Sequence, residues 1–159
     1  MSASSILIHV FLTGGTIDSI TKRGAVVPRK RSIIPEYVRS LGSSNTFKFS
    51  HVCMKDSRDL KPADRATRVS GIEKSDATHF IITHGTYRLL GTKRELAKNP
   101  SLRGKVIVLV GAMTPLKSKN SDGPANIARA ISEIAGLQHG IYLLVGNQFL
   151  SDNAAMSLH

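Results

Sequence analysis

Two threonines stand where a hydroxyl could do chemistry, each directly behind an apolar run and a glycine. Thr16 closes Thr13-Gly14-Gly15-Thr16 after the run ILIHVFL (residues 6–12), and Thr86 closes His84-Gly85-Thr86 after THFIIT (78–83). A threonine hydroxyl becomes a nucleophile only when a neighbouring group takes its proton. The paired glycines let the backbone approach a ligand closely or take positive φ, leaving the Thr16 hydroxyl at a sheet edge. Taken alone, this segment reads first as a tight turn whose threonine satisfies a backbone group. It is neither GxGxxG nor a P-loop. Beyond His84-Gly85-Thr86 a helix opens, and free N–H groups at such a point favour anionic or oxyanionic atoms. His84 is a possible base, though a histidine at a strand end is more simply structural.

Two further polar segments accompany them. Asp56-Ser57-Arg58-Asp59 follows an apolar stretch, and Gly111-Ala112-Met113-Thr114-Pro115 leads through a loop to Asn120-Ser121-Asp122-Gly123-Pro124-Ala125-Asn126. The small residues allow close packing beneath a crevice. Asp122 caps a helix by default, with orientation of a ligand as the alternative, and Lys117 and Lys119 could meet a carboxylate or remain solvated. The six histidines include no pair at metal-ligand spacing and there is no CxxC, so neither a metal nor another cofactor is expected.

The elements that must position these turns alternate. Strands are expected over 6–12, 46–54, 78–83, 105–110 and 140–145. Helices are expected over 36–41, from Pro62 to about Lys74, from Thr86 to about Lys98, and from about Ala125 to Ala135. Pro62 suits a first helical position, and Gly42 and Gly136 suit helix ends. Residues 17–32, polar and basic with Gly24 and Pro28, are expected to be a mobile loop. Short continuous apolar strands alternating with helices imply an α/β fold. Its sheet is three-layer, doubly wound and mostly parallel, with helices on both faces, a Rossmann-like arrangement. In such sheets ligands bind beyond the carboxyl ends of the strands, where all these turns emerge.

Composition sets the outer bounds. At 159 residues, with no repeat or linker, the chain is expected to be one domain over 1–159. No apolar stretch approaches the ~20 residues that span a bilayer, and no membrane association is expected. The opening MSASSILIHV lacks a basic region and is read as a first strand rather than a signal peptide. One cysteine, Cys53, excludes an internal disulfide; it is expected to be a buried core thiol, and a cytoplasmic location fits. The formal net charge of +11 favours acidic partners, nucleic acid among them, but only as a field effect. With no tryptophan and few aromatics, a base-stacking platform is hard to build, so nucleic-acid binding is weakly supported.

In combination the turns are far more specific. TGGTI, DSRDLKPAD, THGT and VGAMTP…NSDGPANI, in that order and spacing, resemble the asparaginase/glutaminase family of threonine amidohydrolases over nearly the whole chain. The match is to the family's larger N-terminal domain, without the smaller C-terminal one. The resemblance implies attack of a threonine hydroxyl on a side-chain amide, of L-asparagine or a related compound. An acyl-enzyme would form, and ammonia and an acid would be released. By position, Thr16 would be the nucleophile and Thr86 the second catalytic threonine, activating water or the nucleophile. Ser57 would hold the substrate α-carboxylate, and backbone N–H groups near Thr86 would form the oxyanion hole. Gly15, Asp56, Gly85, Tyr87, Ala112 and Asp122 would complete the substrate-binding set. A homo-oligomer is implied as well, because the family's sites are completed by neighbouring subunits.

Four positions depart from the family pattern. Tyr87 replaces the aspartate that grips the substrate ammonium. Ser151–Ser157 holds no lysine where the family places a partner for the second threonine. No tyrosine occurs between Thr16 and Tyr37, and Lys61 stands where a helix-capping threonine is common. These changes add impaired activity to the expectations. They also raise two alternatives: a catalytically inactive small-ligand-binding module on the same scaffold, and an amidotransferase-type subunit associated with tRNA.

Overall fold

Alternate residues of the first strand explain the layering. In the computed structural model, which describes residues 5–159, β1 (Leu7–Gly14) is buried almost throughout. Residues 1–4, part of the N-terminal reading, lie outside the described residues. Successive side chains of a strand point to opposite faces. Ile8, Val10 and Leu12 accordingly enter one core cluster, and Phe11 enters another.

The remaining elements repeat this division. The chain continues through β2 (Ser19–Lys22), β3 (Ala25–Pro28), α1 (Ile34–Ser40), β4 (Thr46–Lys55), α2 (Pro62–Lys74) and β5 (His79–Thr83). It then runs through α3 (Leu89–Ala97), β6 (Val106–Val110), α4 (Gly123–Glu133), β7 (Gly140–Val145), β8 (Gln148–Phe149) and α5 (Asp152–Met156). Val106, Val108 and Val110 of β6 pack with Ile34 and Val38 of α1 and Ile127, Ala130 and Ile131 of α4. Ile107 and Leu109 pack on the other face with Ile72 of α2 and Leu89 and Leu96 of α3. The result is the expected three-layer α/β sandwich.

The six-stranded sheet has the order β4-β1-β5-β6-β7-β8, parallel except for β8. Register runs Val10↔Ile81, Ile81↔Val108 and Val108↔Tyr142 across its centre. From β1 the chain moves out to the edge strand β4, then returns past β1 to β5. Connections therefore leave the β1/β5 pair in opposite directions, and the carboxyl ends of these strands are where sheets of this kind bind ligands. Thr16 and Thr86 follow those two strands.

Residues 17–32 differ from the mobile loop expected. Thr16–Asp18 forms a 3-10 turn, and β2 and β3 pair as an antiparallel hairpin. Its two-residue turn, Arg23-Gly24, has φ of 49° and 80°, the positive values that a type I′ hairpin turn requires. The basic, glycine-containing segment disguised short β-branched stretches that do pair. Beyond the last expected strand, β8 adds an antiparallel edge and α5 packs near α3, neither of which was anticipated. Lys61 cannot cap α2, since an ammonium accepts no hydrogen bond; instead Asp64 Oδ2 reaches back to the Lys61 N–H at 2.9 Å. Among the described residues, no helix is long and apolar enough to cross a membrane.

Candidate active site

Three turns meet through glycines that leave no room for a side chain. Gly15 has φ of 80°, and a Cβ built there would lie 2.5 Å from the Gly85 nitrogen. A Cβ on Gly85 would in turn lie 2.7 Å from Ser57 Oγ. The Thr13–Thr16, His84–Thr86 and Asp56–Ser57 turns are thus in backbone contact across β1, β5 and β4. Gly15 N–H also donates to Lys55 O (2.9 Å), and Leu116 N–H donates to Ile17 O (3.0 Å), which draws the loop after β6 to the same place.

The hydroxyl-bearing residues are held in different ways. Thr16 opens its 3-10 turn half-buried, with Ser19 Oγ anchoring the turn by donating to Gly15 O (2.7 Å). Asp18, fully buried, accepts from Ile33 N–H at 3.0 Å, and burial raises its carboxyl above the usual range against the Ser32 and Ile33 hydrogen bonds. It ties the Thr16 turn to the start of α1. Thr86 is 5% exposed, and its Oγ1 lies 2.7 Å from His159 Nε2. The 3-10 turn Thr86–Arg88 follows Gly85, which offers no capping side chain; Ser57 Oγ takes the Arg88 N–H (3.2 Å), leaving those of Thr86 and Tyr87.

His84 is structural. It is completely buried; Nδ1–H donates to Gly85 O (2.6 Å), which leaves Nε2 to accept from Thr92 Oγ1 (2.8 Å). Burial pushes its pKa down to about 4. Both ring nitrogens are occupied in holding the turn, so it has no base to offer. Cys53 is half-buried rather than fully so, and burial pushes its thiol up to about 11, with the Asp64 charge adding to the effect.

The remaining predicted residues fall into two groups. Asp56 accepts from Arg58 at Nε (3.0 Å), Nη2 (2.8 Å) and the backbone (2.8 Å), and these bonds hold its carboxyl below the usual range. Arg58 stacks 3.8 Å from the centroid of the Tyr87 ring, and the His159 ring stacks on Tyr87 at 3.8 Å and 11°. Tyr87 is 48% exposed. Ser57, only 1% exposed, accepts from Arg88 N–H at 3.2 Å.

Asp122 and Ala112 belong to the support beneath. Asp122 does not cap α4, the default expectation; Ser121 Oγ accepts from Gly123 N–H (3.0 Å) instead. The Asp122 carboxylate accepts from Met113 N–H (3.0 Å), Gly146 N–H (3.1 Å) and Asn126 Nδ2 (3.0 Å), and so joins the loops after β6 and β7. Ala112 is buried with Ile17 and Leu116 in a core cluster rather than lining the surface. Asn126, which also binds Gly111 O (2.9 Å) and Asn147 N–H (2.6 Å), was not anticipated, although its spacing of one helical turn from Asp122 could have revealed it. His159 was missed for want of any local signal. Among the described residues, no group of three or more metal-ligating side chains is present.

Comparison with known proteins agrees with the fold. The family model described as Asparaginase, N-terminal, matches residues 7–159. L-asparaginase 1 of Escherichia coli (strain K12) is 26% identical over 161 residues, covering 96% of this chain and 47% of the relative. The chain therefore spans about half the length of the curated relatives it matches. Among solved structures, the thermostable L-asparaginase from Thermococcus kodakarensis aligns with a TM-score of 0.71 at 24% identity, covering 92% of this chain and 46% of the other. The probable cytoplasmic L-asparaginase from Campylobacter jejuni aligns at 0.72 and 21%, covering 94% and 47%. L-asparaginase I from Vibrio cholerae aligns at 0.72 and 24%, with the same coverage. At these identities the structures speak to the fold, while the family match speaks to descent. The chain belongs to the asparaginase family, matching that family's N-terminal domain.

Proposed function

We propose that this protein is an asparaginase-like amidohydrolase that converts a side-chain amide to an acid and ammonia, with Thr16 as nucleophile. The observation that carries the reading is the backbone contact of Gly15 with Gly85, which sets the Thr16 and Thr86 turns side by side beyond β1 and β5. Thr16 Oγ1 attacks the amide carbonyl, and the tetrahedral oxyanion is met by backbone N–H groups beside Thr86. Donors of this kind are worth about 3–4 kcal/mol each in the transition state. The amide nitrogen leaves as ammonia after gaining the proton that Thr16 gives up, and water then hydrolyses the Thr16 ester with help from Thr86.

Ser57, Asp56 and Tyr87 border the substrate in this reading. Both Asp56 oxygens are engaged by Arg58, and Tyr87 brings no charge. Substrate binding here therefore leans on shape and on cationic groups, and a homo-oligomer that closes over the exposed Tyr87 is part of the same proposal. The test is ammonia release from L-asparagine, L-glutamine and simple ω-amides by the parent and Thr16→Ala. Release that disappears in the variant supports the reading. Equal release from both removes Thr16 as nucleophile.

A further inference from the structure

An imidazole that no local motif announces stands against the second threonine. His159 Nε2 is 2.7 Å from Thr86 Oγ1, across 73 positions of sequence. A hydroxyl and an imidazole at that distance form a full hydrogen bond, and a neutral ring presenting a bare Nε2 receives the hydroxyl proton. Of the histidines near the three turns, His84 has both nitrogens occupied. His159 is exposed, so its other ring nitrogen is open to water.

Its ring is held by a stack with its own anchor. His159 and the Arg58 guanidinium each lie 3.8 Å from the Tyr87 centroid. Two planar groups at the same height cannot share one face of a ring, so Tyr87 is sandwiched between them. Asp56 fixes the guanidinium through Nε and Nη2. The chain of contacts Asp56–Arg58–Tyr87–His159 thus sets the plane of the imidazole, and its Nε2 meets Thr86. The charged and titratable groups around His159 are Asp56 and Arg58 from the turn after β4 and Tyr87 from the turn after β5.

We propose that His159 is the proton acceptor for Thr86, and that the Asp56–Arg58–Tyr87 stack positions it. This rests on the amidohydrolase reading above. In the hydrolytic step, the water oxygen forms a bond to the acyl carbon of the Thr16 ester. One water proton passes to Thr86 Oγ1 as the Thr86 proton passes to His159 Nε2. When the bond between the acyl carbon and Thr16 Oγ1 breaks, the imidazolium returns a proton through Thr86 to that oxygen. The acid departs, and Thr16, Thr86 and His159 regain their starting states.

Two measurements test this on the full chain. The first is the ring-nitrogen NMR spectrum of His159 in the parent and in Thr86→Val; loss of the hydroxyl is expected to shift the Nε2 resonance. The second is kcat and KM for the parent, His159→Ala and His159→Gln, with and without added imidazole. A positioned base contributes about 10²–10⁴-fold, so kcat is expected to fall by that order in both variants with KM little changed. Added imidazole should partly rescue His159→Ala, which a merely structural side chain would not allow. Because the side chain is exposed, folding is not at stake. Activity that disappears in Thr16→Ala yet keeps its rate in His159→Ala overturns this inference alone. An Nε2 resonance unmoved by Thr86→Val overturns it too. No ammonia from the parent with any ω-amide overturns the hydrolytic reading, and this inference with it.

Discussion

His84 should make the fold sensitive to mild acid, by an amount that follows from its surroundings. The imidazole is completely buried and neutral, with a pKa pushed down to about 4 from 6.5. In the unfolded chain it titrates near its ordinary value. As pH falls, the unfolded chain therefore takes up a proton before the folded one does. The stability that His84 contributes is fully present above pH 6.5 and is lost as pH falls from there to about 4. The interval corresponds to about 3 kcal/mol at about 1.4 kcal/mol per pKa unit. For a chain of this size that amounts to about 6–12 °C in Tm. The assay is urea denaturation followed by circular dichroism at several pH values between 7.5 and 4, on the parent and His84→Gln. His9, whose pKa is also lowered by burial, titrates in both proteins, so the difference between them isolates His84. The variant begins less stable, having lost a bond to Gly85 or Thr92, and the gap should narrow by about 3 kcal/mol towards pH 4. A gap that does not change with pH would refute the neutral, buried state of the ring.

Gly15→Ala should do more harm than any ordinary surface change. At φ of 80° a Cβ costs about 1–2 kcal/mol, and this one also meets the Gly85 backbone. Denaturation should show at least that loss, and parting the two threonine turns by about 1 Å should cost about 100-fold in ammonia release; a variant within about 0.5 kcal/mol of the parent would contradict the contact. Arg68 lies at 1% exposure with Nε and Nη2 unpartnered, and burial lowers its pKa. Arg68→Met should raise the urea midpoint by the equivalent of about 1–3 kcal/mol, whereas a comparable loss would mean that the guanidinium is bonded in solution.

The sheet was legible because its inner strands are continuous apolar runs. HFIIT and VIVLV announce burial on both faces, and the glycines and prolines around the helices mark their ends. The β2–β3 hairpin was not legible, since Ser19–Lys22 and Ala25–Pro28 are only four residues each and sit within a basic segment that reads as loop. The candidate turns could be picked out by their order, yet their contacts could not. Gly15 meeting Gly85 depends on two strands being neighbours, which follows from the sheet order. Asp122 looked like a cap by its place before α4, but its carboxylate turns back to the Met113 and Gly146 N–H groups while Ser121 does the capping. His159 joins Thr86 only because β8 and α5 carry the chain back to the site, and nothing in its own sequence says so.

Capture of the acyl intermediate tests the proposed chemistry most directly. The protein would be mixed with substrate amide, quenched in acid within the first turnovers, digested, and its peptides weighed. Thr16 as nucleophile predicts an ester on the peptide containing Thr16. The ester should be absent in Thr16→Ala and should accumulate in Thr86→Ala, where hydrolysis is slowed. Ammonia release with no ester on that peptide, or with the acyl group on another residue, would contradict it.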